Sequence, residues 1–215
     1  MLKELLKSYR IVQYGLKVRT QVLFGAFFGI FGIAMEVVTR GKNIIGSFYI
    51  ILAGMFIYQL IISSDMSTLV QSSPHKKKIQ CVYPLISIIP WIYVCITILA
   101  VINGYFAGTS SEAYIDICRM TAQLSIILFL SIIYFPLSYK YFVVATVALF
   151  VTVWPAMLIV ATDNFISAKF TDYGVCVVIL YLSATIGLII SFFVSRLVYK
   201  KDLSKIAFMG LIKRK

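Results

Sequence analysis

Residues 44–62 read IIGSFYIILAGMFIYQLII, nineteen positions without a charge and without alternation of polarity. No soluble fold tolerates many such segments. A bilayer core of ~30 Å is crossed by roughly 20 apolar residues of α-helix. Six stretches of that kind are placed at about 21–39, 44–63, 83–105, 118–137, 141–162 and 174–195. Barrel strands alternate in polarity over about 10 residues, and this pattern is absent. Of 215 residues, 61% are hydrophobic and 13% charged, against about 25% charged in soluble domains. The expected fold class is an all-α integral membrane protein with six transmembrane helices. It forms one spanning domain over 21–195, with no cleaved signal peptide expected.

Charge sets the orientation. With six spans, sixteen Lys and Arg residues fall on one side and four on the other. The positive-inside rule places the richer side, with both termini, in the cytoplasm. Five of the acids, Glu36, Glu112, Asp116, Asp163 and Asp172, then lie outside. The net charge of +12 is therefore read as contact with anionic lipid headgroups, and nucleic acid is not an expected partner. Cys81, Cys95, Cys118 and Cys176 form no CxxC and are expected as reduced, buried thiols.

The opening segment 1–20 places Leu2, Leu5, Leu6, Tyr9, Val12 and Leu16 on one helical side, with Lys3, Lys7, Arg10 and Lys17 largely elsewhere. This is a basic amphipathic helix of the membrane surface. It serves as an anchor, or also docks a cytoplasmic partner. In the first span Gly25 and Gly29 make a GxxxG, which suits close helix packing within the bundle or between subunits. Glu36 either snorkels to the outer interface or forms a membrane ion pair, with Arg119 or Arg40 as partner. Pro84 opens span 3, Pro90 and Pro155 lie inside spans, and Pro136 ends span 4 before a tight hairpin.

Catalytic sets are missing: no HExxH, no GxSxG, a single histidine, dispersed carboxylates and no GxxxxGK[ST] phosphate loop. The chain is expected not to be an enzyme and to need no metal or cofactor of its own. A basic knuckle stands out in the connection 64–82, SSPHKKK, residues 72–78. Ser63 or Asp65 caps a short helix through Met66, Leu69, Val70 and Gln71. Pro74 stops it, and His75, Lys76, Lys77 and Lys78 form a basic turn. The loop either meets lipid or inserts into a soluble partner. A basic tail covers 196–215.

This layout, an amphipathic helix followed by six spans with a basic element between spans 2 and 3, resembles the permease subunit of an ABC-2-type exporter. The SSPHKKK turn looks most like that of permeases exporting phenol-soluble modulins, which are amphipathic toxin peptides. The resemblance implies that segment 1–20 is a connecting helix and 64–82 a coupling element. Met66, Leu69, Val70, Gln71, Ser73, His75 and Lys76 to Lys78 would engage a cytoplasmic ABC ATPase subunit. ATP and Mg would bind that partner. A second permease copy or a paralogue would complete a dimer in the bacterial plasma membrane. Spans 2 and 5 would line the path for peptide cargo through Phe48, Ile51, Met55 and Tyr58, and through Phe150, Val153, Trp154 and Met157. Those residues equally suit lipid contact or core packing. The outer loop 163–173 is short for the re-entrant helices many ABC-2 permeases carry. A non-transporting scaffold or immunity protein that sequesters hydrophobic peptides is the alternative.

Overall fold

The computed structural model describes residues 2–15, 17–66, 74–161, 172–204 and 206. Eight α-helices are seen there: α1 Leu2–Ile11, α2 Val18–Thr39, α3 Ile45–Ile62, α4 Lys76–Cys81, α5 Tyr83–Ala107, α6 Ser111–Ser138, α7 Phe142–Ala161 and α8 Tyr173–Val198. Short 3-10 turns follow α1 (Val12–Tyr14) and α3 (Ser63–Met66), and no strand occurs among the described residues. α4 and α5 join through Val82, itself in helical conformation, so together they form one long helix from Lys76 to Ala107. Five helices among the described residues are long and apolar enough to cross a membrane; in α7 the apolar stretch, Phe142–Pro155, is shorter. The chain is an all-helical, multi-pass membrane protein.

Local chemistry sets the helix ends. Ser110 caps α6 by accepting from the Ala113 N–H at 3.2 Å, and Asp172 caps α8 by accepting from the Gly174 N–H at 2.9 Å. α2 closes through left-handed Arg40 (φ 54°) and Gly41 (φ 68°), whose N–H returns to the Glu36 carbonyl at 3.1 Å. A side chain at Gly41 would also stand 2.5 Å from Asn103 Oδ1.

Three local expectations change. The amphipathic helix does not run through 1–20. It ends at Ile11, and left-handed Lys17 (φ 44°) separates it from α2. Between them the backbone passes close to α3, where a Cβ at Gly15 would lie 2.7 Å from the Leu60 carbonyl oxygen. Pro136 does not end its helix. α6 passes through it to Ser138, and the hairpin into α7 is then made by Tyr139, Lys140 and Tyr141. The basic residues 76–78 lie in a helix, since α4 buries Ile79, Gln80 and Cys81. Upstream, the Ser63 hydroxyl donates to the Leu60 carbonyl at 2.9 Å, closing α3.

The core is built by α3, α5, α6 and α8, meeting through Ile50, Ile88, Ile96, Leu128, Ile132, Leu180 and Ala184. α2 and α7 flank this core, on α3 and α6 respectively. α2 turns Gln21, Gly25, Gly29, Gly32 and Glu36 inward, a spacing that repeats once per helical turn. The GxxxG is thus used inside the chain. A Cβ at Gly32 would meet the Gly46 carbonyl oxygen and Ile50 Cγ1, each at 2.7 Å. In lipid, where apolar contact supplies little net drive, such close backbone approach is what holds helices together. Trp91 of α5 fills the seam, its ring 3.3 Å from a Cβ at Gly29 and 2.9 Å from one at Gly54.

Candidate functional site

Four segments distant in sequence meet at one end of the bundle: α1, α4, the α6–α7 hairpin and the chain after α8. α1 lies on α5, where Ser87 Oγ donates to Ser8 Oγ at 2.8 Å with both residues fully buried. That seat brings Glu4 to Lys78, Oε2 to Nζ 3.0 Å, with Lys7 also 3.5 Å from Glu4. These are the ion pairs seen among the described residues. The hydrogen bond from Lys78 holds the Glu4 carboxyl below the usual carboxylate range.

Lys140 makes the second tie. It is 6% exposed, and its ammonium donates to Gln80 Oε1 at 3.0 Å and to the Lys201 carbonyl at 2.6 Å. The Ser204 N–H donates to the Tyr139 carbonyl at 2.8 Å, extending the same junction. A buried ammonium is tolerated here because oxygen acceptors replace its water. Four cations of this end lie on rings. Lys77 Nζ stands 5.1 Å from the Tyr199 ring centroid, Lys78 Nζ 5.7 Å from Tyr83, Lys201 Nζ 5.7 Å from Tyr141, and the Arg196 guanidinium 5.3 Å from Phe192. A groove of about 290 Å³ opens between α4 and α8, with Pro74 and His75 at its rim.

Of the coupling residues expected from sequence, His75, Lys77 and Lys78 are exposed and Lys76 is half-buried. Met66 ends the 3-10 turn after α3. Leu69, Val70, Gln71 and Ser73 lie outside the described residues, as do residues 163–171 of the expected 163–173 loop. The two expected path stripes do not converge within one chain. Phe48 is exposed and Ile51 and Met55 are half-buried. Tyr58 is completely enclosed, stacked on Tyr139 at 5.5 Å and tilted against Phe135 at 5.8 Å. On α7, Phe150 and Trp154 are each 69% exposed and Val153 is half-buried, while the Met157 side chain lies outside the described set.

A separate polar cluster sits toward the opposite end of α2. Glu36, 1% exposed, accepts from Ser47 Oγ at 3.2 Å and from the Asn103 side chain. No Glu36–Arg119 ion pair forms among the described residues. Glu36 points into the α2–α3 seam, where Gly46 leaves space for its carboxyl, and neutral donors satisfy it. All four cysteines are buried free thiols. No group of three or more metal-ligating side chains occurs among the described residues.

Sequence reasoning saw the lysines of α4 but missed Glu4, Gln80 and Lys140 as their neighbours. Lys140 and Gln80 carried a signal, being polar residues bordering spans, but nothing local pairs them. Comparison with protein-family models, with curated proteins and with solved structures yields no match.

Proposed function

We propose that this chain is the membrane subunit of an ATP-driven exporter of the ABC-2 type, moving amphipathic or hydrophobic peptides out of a bacterial cell. The observation that carries the reading is the α1–α4 contact. A surface helix and a basic interspan helix, joined by Glu4 and Lys78 at one end of the bundle, form a unit on which a soluble motor can act. α7 is the sixth span in this reading, and the lysine-rich end faces the cytoplasm of a plasma-membrane protein. His75, Lys76 and Lys77, with the segment 66–73, engage the ATPase. ATP and Mg reside on that partner, since this sequence has no GxxxxGK[ST]. The exposed apolar face of α7, with Phe150 and Trp154, meets a second copy or a paralogue across the cargo path. Tyr58 stiffens α3 from behind and does not touch cargo.

Mild-detergent purification from native membranes, with partners identified by mass spectrometry, tests this directly. A stoichiometric partner carrying a phosphate loop is expected. Replacing Lys76, Lys77 and Lys78 by Glu should leave membrane insertion intact and lower peptide-stimulated ATPase activity. Recovery without any ATPase, from membranes whose other complexes survive, would favour a peptide-sequestering scaffold instead.

A further inference from the structure

The groove between α4 and α8 shares His75 and Lys77 with the proposed ATPase contact, but its α8 wall, Phe192 and Arg196, has no part in that reading. Its walls are Lys77, Lys78 and Cys81 on one side and Phe192 and Arg196 on the other, with Val82 at the base. Glu4 answers the charge of Lys78. Lys77 and Arg196 each rest on an aromatic ring, and no carboxylate lies within ion-pair distance of either among the described residues. A ring under a cation fixes its position while leaving N–H groups directed outward, where an anion accepts them. Below these two cations the lining turns apolar at Val82 and Phe192. The site lies where α5 begins and α8 ends, at the polar border of two helices long and apolar enough to cross a membrane. Basic pockets between spans at this level suit anionic headgroups.

We propose that this groove binds one anionic phospholipid, its phosphodiester between Lys77 and Arg196 and the start of an acyl chain against Val82 and Phe192. The lipid would bridge α4 to α8 on the face of α4 away from Glu4. The inference stands apart from the transport reading, because it requires no ATPase.

Native mass spectrometry of the full-length chain, titrated with phosphatidylglycerol or with phosphatidylcholine of the same acyl chains, tests it. The chain should retain phosphatidylglycerol selectively. Lys77→Gln should weaken that retention about fivefold, and Lys77→Gln with Arg196→Gln about thirtyfold. Lys200→Gln, an exposed cation outside the groove, should leave it unchanged. Lys77 is exposed and its ammonium lies on the Tyr199 ring, so its single variant tests the site even where the double variant does not fold. A second readout is the melting temperature, which phosphatidylglycerol should raise more than phosphatidylcholine does. Equal retention of both lipids, or equal loss in the Lys200 variant, would reduce the groove to diffuse surface charge and overturn the proposal. Displacement of the lipid by millimolar inorganic phosphate would overturn it in favour of a free-phosphate site.

Discussion

At Gly32 a single methyl group decides whether two helices touch. Alanine there would press on a carbonyl and a backbone nitrogen of α3 as well as Ile50 Cγ1, and backbone does not step aside cheaply. Gly32→Ala should cost about 1–3 kcal/mol, read as a lower melting temperature in detergent. Gly108→Ala, whose nearest neighbour is the Tyr105 carbonyl at 3.6 Å, should be close to neutral. Glu36 makes the complementary point. Glu36→Gln retains an acceptor for Ser47 and should fold as well as the parent. Glu36→Ala strands the buried Ser47 and Asn103 side chains and should cost about 1–3 kcal/mol. The glycine spacing was legible as a close-packing signal because it repeats along one helix face. Which helix it meets was not, because GxxxG specifies a distance of approach and not a partner. Glu36 was legible as an acid that snorkels or is paired, but not as one fully buried. Its neutral donors come from α3 and α5, and no local pattern predicts them.

At the scale of elements, α1 is held to α5 and to α4 by contacts of unequal strength. The Ser8–Ser87 hydrogen bond is buried, whereas the Glu4–Lys78 pair is exposed and screened by salt. The folded-state pKa of Glu4 is depressed, so its pairing is at full strength above the ordinary carboxylate value of about 4.3. It is lost as pH falls through the lower folded value. Spin labels at Arg10 and Lys76 should therefore report one narrow distance at neutral pH and a broader one in strong acid. Glu4→Gln should broaden it at every pH, and Ser87→Ala should loosen α1 further. Most helix ranges were readable within a few residues, because uninterrupted apolar runs leave little choice. The break at Lys17 was not readable, because the close passage of Gly15 by the Leu60 carbonyl is a contact made across the fold. The helix at Lys76–Cys81 was missed for a similar reason. Three lysines in a row look like solvated turn, yet Ile79, Gln80 and Cys81 behind them are buried.

For the whole molecule, the ties among Glu4, Lys78, Gln80, Lys140 and Lys201 put α1, α4, the α6–α7 hairpin and the chain after α8 at one end. Cysteines introduced at Lys77 and Lys201 should react with an impermeant thiol reagent from the same side of the membrane. Those at Asn43 and Thr109, in the turns between α2 and α3 and between α5 and α6, should react from the other. An odd number of crossings would separate Lys77 from Lys201 and sink the six-span arrangement. Lys140→Met removes the ammonium that joins three of these segments and should cost about 1–3 kcal/mol. The charge asymmetry made this gathering legible in outline. The particular hydrogen bonds were hidden because their partners lie 60 and 61 residues apart.

The heavy enclosure of α6 also bears on how the chain is made. This helix buries Thr121, Gln123, Ser125 and Ser131 at several positions around its circumference, and its main partner is α8. α6 ends at Ser138 and α8 at Val198, so at about 5–20 residues per second a ribosome takes roughly 3–12 s to supply the second after the first. For that interval α6 lacks its main packing partner, although the Thr121 and Ser125 hydroxyls already donate to carbonyls of α6 itself. A chain cut short before Tyr173 leaves buried residues of α6 without the helix they pack on most, and should be degraded faster than the full chain, as a pulse-chase measurement would show. α8 in this sense completes biogenesis, and damage to it should shorten the lifetime of the protein before it alters any activity.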